Sequence, residues 1–166
     1  MTIRHERAAD IEAIREVHQA AFETDAEARL VDRLRSETKV ISLVADDAGL
    51  IIGHILFSPV TLPGHLDIDI MGLAPVAVVP NHQRNGVGAA LVCGGLDACR
   101  QASVDAIVLV GHPHYYPRFG FTPASRFGLR CEYDVPDDVF MAQELRPASL
   151  AGKSGTIQYH AAFADL

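Results

Sequence analysis

Val76-Ala77-Val78-Val79-Pro80-Asn81-His82-Gln83-Arg84-Asn85-Gly86-Val87-Gly88-Ala89 is the stretch on which the reading of this chain turns. An apolar run ends at Pro80, a short polar turn follows, and Gly86 and Gly88 stand where a helix begins. Glycine carries no Cβ, so an anion can approach the backbone closely there. The first amides of a helix have no partner within it and point outward at the positive end of its dipole. Strand, glycine turn and helix together predict a cradle for phosphate. The Walker pattern is absent. The Rossmann pattern fails too, because Gly86-Val87-Gly88 runs on into Ala89-Ala90-Leu91 with no third glycine in place. What stands here is Q-x-x-G-x-G, as Gln83, Gly86 and Gly88.

Outward from that stretch the periodicities assemble a fold. Ile70 to Val79 reads as a strand, so apolar that both faces are expected to be buried. Asn85 to Ala102 reads as a long helix and Ala106 to Val110 as a short apolar strand. Strand, helix and strand make a βαβ unit, which is parallel and right-handed by rule. Pro75 removes a ladder donor inside the first of these strands and marks a bulge or a strand start. Upstream, Ile3 to Glu6 reads as a strand. Ile11, Ile14, Val17, His18, Ala21 and Phe22 recur at helical spacing, with Asp10 as N-cap. Thr24-Asp25-Ala26-Glu27 fits a capping box before a second helix with Leu30, Val31 and Leu34 on its apolar stripe. Val40 to Ala45 and Leu50 to Leu62 read as a hairpin about Asp46-Asp47-Ala48-Gly49. Downstream, Phe127 to Cys131 and Thr156 to Phe163 read as late strands. The expected class is mixed α/β with a largely antiparallel sheet.

Composition narrows the function classes. The chain has 166 residues, near the ~150 of one typical domain. Apolar residues make up 49% and charged residues 21%, an ordinary globular balance. With 14 basic against 21 acidic residues the net charge is −7, without the field of a nonspecific nucleic-acid binder. Three cysteines, Cys93, Cys99 and Cys131, do not suggest a disulfide framework. Met1 to Asp10 does not read as a signal peptide, and no run of ~18 apolar residues predicts a membrane span. A cytoplasmic protein is expected, with no membrane and no nucleic-acid partner.

A second segment follows the strand that ends at Val110. It is Gly111-His112-Pro113-His114-Tyr115-Tyr116-Pro117-Arg118-Phe119-Gly120-Phe121. Here the sequence resembles the GNAT superfamily of N-acetyltransferases, in which Q/R-x-x-G-x-G/A binds the coenzyme A pyrophosphate and a Y-x-x-x-G-F motif follows the next strand. Tyr116 to Phe121 matches the latter. The closer resemblance is to the YhbS-like bacterial N-acetyltransferases. It is carried also by Glu27-Ala28-Arg29-Leu30-Val31-Asp32-Arg33-Leu34-Arg35 and by Phe127 to Cys131 through Phe140-Met141-Ala142. It spans nearly the whole of residues 1–166, read as one GNAT domain with splayed parallel strands and helices on both faces of the sheet.

The resemblance implies acetyl-CoA as cosubstrate and a primary amine as acceptor, joined by direct attack in a ternary complex. By position, Val76, Ala77 and Val78 would offer backbone groups to the pantetheine arm, with the Val78 amide facing the oxyanion. Gln83, Arg84, Asn85, Gly86, Val87, Gly88 and Ala89 would form the pyrophosphate loop. Tyr116 would be the general acid that protonates the leaving thiolate, since an ordinary phenol keeps its proton at neutral pH. The carboxylate base common in the superfamily is missing from Leu73 to Val79 and from Ala106 to Val110. His112 is the candidate base, with His114, Glu23 and Glu27 behind it. No metal is expected, because His112-x-His114 supplies only two ligands. Two other readings share these residues: a CoA-binding sensor or interaction module without catalysis, and an acyltransferase using another acyl-CoA. A homodimer is compatible with all three.

Overall fold

The computed structural model describes every residue from Met1 to Leu166. Nine strands and three α-helices follow in the order β1 (Thr2–His5), α1 (Ile11–Ala21), α2 (Ala26–Glu37), β2 (Ile41–Asp47), β3 (Leu50–Val60), β4 (Ile70–Val78), α3 (Val87–Gln101), β5 (Ala106–Val110), β6 (Thr122–Pro123), β7 (Leu129–Cys131), β8 (Phe140–Glu144) and β9 (Gly155–Ile157). Seven strands form one sheet in the order β1-β2-β3-β4-β5-β8-β6. The pairs β1–β2, β2–β3, β5–β8 and β6–β8 are antiparallel, and β4–β5 is parallel. The expected class is the observed one: mixed α/β, mostly antiparallel, with one βαβ crossover. No helix is long and apolar enough to cross a membrane.

The chain forms two compact units. The first comprises Met1–Ser58, Ala74–Ala98 and Ala161–Leu166. Its helices α1 and α2 cover one sheet face, where Ile14, Leu30, Val31 and Leu34 pack with Val44 and Leu56. Alternation along β3 turns Gly53, Ile55 and Phe57 to the opposite face. There a Cβ at Gly53 would lie 2.9 Å from Leu91 and 3.2 Å from Val87, both on α3. Helices therefore do lie on both faces. Ion pairs close the rim: Arg4 bonds Asp10 and Asp46, and Arg35 bonds Glu6 and Asp32.

The second unit comprises Pro59–Leu73 and Cys99–His160. Its core joins Val60, Leu62, Ile70, Ala106, Val108, Leu129, Phe140 and Ile157. The parallel ladder runs from Ile70↔Ala106 to Gly72↔Val108. On its other edge β5 pairs with β8 along its whole length, from Ala106↔Glu144 to Val110↔Phe140.

The local expectations need correction at six places. Strand β8 had no periodic signal of its own: Phe140, Met141 and Ala142 are consecutive apolar residues buried between neighbours, which erases the alternation. The late strands at 127–131 and 156–163 shrink to β7 and β9, which pair in parallel as a separate two-stranded sheet. Residues Ala161–Asp165 form a 3₁₀ turn whose Ala162 packs under α2. Helix α2 starts one residue later than the capping box requires, so its N-cap is Asp25 rather than Thr24; the Asp25 side chain caps no amide, and the Thr24 hydroxyl accepts from the Ala26 amide at 3.3 Å. Asp10 does sit at the N-cap of α1, but its carboxylate accepts from Arg4 and the Arg7 amide instead of capping. Pro75 does not start β4; it lies inside the strand, after a cis Ala74–Pro75 bond.

Candidate active site

The predicted phosphate loop lies within the first unit. Strand β4 delivers Val76 and Val78 half-buried, with Ala77 buried between them. The chain then enters a 3₁₀ turn over Pro80–His82. Two bonds hold this turn against the sheet. The Val79 amide donates to the Ile52 carbonyl at 2.9 Å, and the Gln83 side-chain amide donates to the Val78 carbonyl at 2.9 Å. Gln83 thus braces the loop from behind. Arg84 and Gly86 both take left-handed backbone conformations, at φ +63° and +82°. That conformation suits Gly86 and is costly for Arg84. A tight double reversal of this kind feeds the chain directly into α3.

The start of α3 is open. Its first internal bond runs from the Ala90 amide to the Gly86 carbonyl, at 3.0 Å. The amides of Val87, Gly88 and Ala89 come before it and have no partner within the helix. Asn85 and Gly86 are exposed, whereas Val87 is buried and anchors the turn. Nothing lies within 4 Å of where a Gly86 Cβ would be, so the space above the loop is free. Arg84 is exposed beside it and adds the one formal positive charge of the segment. Three free amides, a dipole end and a guanidinium fit a diphosphate by charge and by hydrogen-bond sense.

Gly53 is a site residue that the sequence reading passed over. It allows α3 to come down on β3: a Cβ there would crowd Leu91, Val87 and the Ala77 carbonyl. A lone glycine inside a strand pattern is the signal that could have found it.

The predicted second motif lies within the second unit. Beyond β5 the chain turns through Gly111 and a 3₁₀ segment, Tyr116–Phe119, closed by Gly120 at φ +97°. The amides of Tyr115 and Tyr116 both donate to the His112 carbonyl, at 3.1 and 3.4 Å. The Tyr116 ring is half-buried, edge-on to Tyr115 at 5.1 Å and to Phe121 at 6.0 Å. Burial, and to a lesser degree Tyr115, pushes the Tyr116 phenol above its ordinary value of 10. It therefore holds its proton at neutral pH. Arg118 stacks on Tyr115, 4.4 Å from the ring centre, and bonds the Tyr115 carbonyl. Gly111 is a second residue that sequence reasoning missed: a Cβ there would overlap the Tyr116 ring. His112 and His114 are exposed. Glu27 stands in the first turn of α2 with Oε1 enclosed and unbonded, and Glu23 is exposed.

A βαβ crossover in a mostly antiparallel sheet, with open helix amides after its first strand and a tyrosine turn after its second, defines the acetyltransferases of the GNAT type. The chain belongs to that family: the acetyltransferase (GNAT) domain model matches residues 2–124. Among named relatives, it is 38% identical over 165 residues to the uncharacterized N-acetyltransferase YhbS of Escherichia coli K12, covering 98% of both chains. It is 38% identical over 153 residues to YjhQ of the same strain, covering 86% of this chain and 84% of that one. The crystal structure of E. coli YhbS in complex with CoA superposes with a TM-score of 0.93 at 36% identity, covering 98% of this chain and 91% of that one. A Brucella melitensis GNAT acetyltransferase in complex with acetyl-CoA superposes at 0.81, also with 36% identity, over 98% and 97% of the two chains.

Proposed function

We propose that residues 1–166 act as a single cytoplasmic N-acetyltransferase domain that moves the acetyl group of acetyl-CoA to a primary amine in a ternary complex. The observation that carries this reading is the row of free amides at Val87, Gly88 and Ala89, delivered by the left-handed Arg84 and Gly86. Relatives of 36% identity that hold CoA and acetyl-CoA support the same ligand here.

In this reading Gln83 to Ala89 hold the pyrophosphate, and backbone groups of Val76, Ala77 and Val78 bind the pantetheine arm. The amine nitrogen forms a bond to the thioester carbonyl carbon while the C–S bond breaks. The Val78 amide stabilises the charge that develops on oxygen, and Tyr116 gives its proton to the leaving thiolate. His112, exposed at the head of the tyrosine turn, is the base that the sequence points to for the amine proton. Titration calorimetry with acetyl-CoA tests the site. The expected result is micromolar binding by the native chain and none by Gly86→Glu, which puts bulk, backbone strain and negative charge on the phosphate path. Equal binding by both would overturn the assignment.

A further inference from the structure

Between the end of β4 and the start of α3 the chain is fixed at two points. Gln83 is the first. Its backbone amide donates to the Pro80 carbonyl at 3.3 Å, and its side-chain amide donates to the Val78 carbonyl at 2.9 Å. Val87 is the second. It is buried, and its side chain comes within 3.2 Å of where a Gly53 Cβ would stand on β3. Arg84, Asn85 and Gly86 span the distance between these points, and all three are exposed.

The two points lie on opposite sides of β4. Backbone groups of successive residues in a strand point to opposite edges. The Val79 amide donates to Ile52 on β3, and the Ala77 carbonyl lies 3.2 Å from where the Gly53 Cβ would be. Residues 77 and 79 therefore face β3, and the Val78 carbonyl faces the other edge. That edge is open at Val78, because the parallel ladder with β5 ends at Gly72. Gln83 is tied to the open edge, whereas Val87 packs over β3. The chain has to double back within three residues.

The dihedral angles record that reversal. Gln83 is extended, at φ −67° and ψ 154°, and Arg84 follows at φ +63°. This order follows the type II turn, whose second central residue is ordinarily Gly or Asn because its φ is positive. An arginine keeps that conformation only where its surroundings impose it. Ala48, Ser103 and Ala148 share the sign of φ, at a hairpin turn, a helix end and a surface turn. Of the four, Arg84 alone stands in the segment that meets the diphosphate in the reading above.

We propose that Gln83 is a positioning residue of the acetyl-CoA site: its side-chain bond to the Val78 carbonyl holds Arg84 in the left-handed conformation and sets the loop for diphosphate before any ligand arrives. This rests on the acyl-transfer reading, and it assigns the Gln83 side chain to the protein rather than to the ligand. Without the bond, Gln83 leaves the open edge and Arg84 relaxes to negative φ. Binding must then restore the strained turn, and the apparent affinity falls by the fraction of molecules that hold it unaided. For an arginine that fraction is about one in ten. For a glycine it is about one in two, since glycine takes either sign of φ.

The first test needs no ligand. NMR couplings that report the sign of φ are expected to give a positive value at Arg84 in the native chain and a negative one in Gln83→Met, which keeps the length of the side chain and loses the donor. A positive φ at Arg84 in Gln83→Met overturns the proposal. The second test is a double-mutant cycle read by titration calorimetry with acetyl-CoA. Gln83→Met is expected to lose about tenfold in affinity at an unchanged melting temperature. In the Arg84→Gly background the same change is expected to lose no more than about twofold, because glycine needs no clip. The missing arginine charge is common to both arms of that comparison and cancels. Arg84→Asn, which tolerates positive φ, should serve as a background in the same way. Native affinity in Gln83→Met, or the same tenfold loss in both backgrounds, overturns the proposal. A native chain that shows positive φ at Arg84 and binds no acetyl-CoA fails the acyl-transfer reading instead.

Discussion

Acid should loosen this protein through two buried imidazoles before it touches most carboxylates. The His18 pKa falls from 6.5 to about 4 in the fold, chiefly by burial and then by Arg35, and His54 moves the same way. The groups facing the pair are Arg35 and Asp32 on α2, Glu6 after β1, and each imidazole itself. A lowered base binds its proton more readily in the unfolded chain. Stability is therefore fully present above the unfolded value of 6.5 and drains away as pH falls toward 4. For His18 alone the loss reaches roughly 2.5 kcal/mol by pH 4.5, at about 1.4 kcal/mol per pH unit. His54 adds to it with the same sign. Glu6 and Asp10, whose pKa values are lowered, act the same way but below the ordinary carboxylate range. Urea unfolding at pH 7.5, 6.5, 5.5 and 4.5 reads the slope directly. The native chain should lose stability steadily between pH 6.5 and 4.5, and His18→Gln should lose less over that interval, whatever its stability at pH 7.5. A flat native profile there, or an unchanged slope in His18→Gln, would refute the reasoning, because it would mean that the buried rings take up protons without cost.

Three other outcomes follow from the site and the core. Tyr116→Phe should keep acetyl-CoA binding, measured by calorimetry, and lower kcat by about two to four orders of magnitude, the range of a lost general acid; full turnover would remove Tyr116 from that role. Gly111→Ala should lower kcat in the same direction with little change in melting temperature, because a Cβ there displaces the Tyr116 ring; unchanged turnover would show that the ring position is not critical. Leu34→Ala removes a fully buried side chain of α2 and should cost ~2–5 kcal/mol by urea unfolding, with native affinity for acetyl-CoA in the folded fraction.

The strand–loop–helix at Val76–Ala89 and the tyrosine turn at Tyr116–Phe121 were legible in the sequence because each is a local device. Apolar runs, a break at Pro80, glycines at a helix start and Y-x-x-x-G-F all declare themselves within a few residues. The βαβ unit, the first hairpin and the faces of α1 and α2 were legible for the same reason. Strand β8 was not, since three adjacent buried residues carry no period. Nor was the pairing of β7 with β9, which joins segments about 25 residues apart. The residue roles were harder still. Gly53 and Gly111 matter through what stands above them, Leu91 and Val87 in one case and Tyr116 in the other, and no local pattern reports that.

His18 shows the division most clearly. In the sequence it is one more member of the α1 stripe, between Val17 and Phe22. Only the packing of α1 and α2 on β2 and β3 brings it to His54, and His54 to Ser42 and Glu6. A proton's place on an imidazole is set by the partner of the other nitrogen, and that partner lies 36 residues away. The sequence by itself determined the family fold and the loop that a diphosphate would meet, because backbone conformation and dipole direction are local. Tertiary structure decided which partners the buried imidazoles find, because hydrogen-bond satisfaction is a property of the packed set and not of any residue in it.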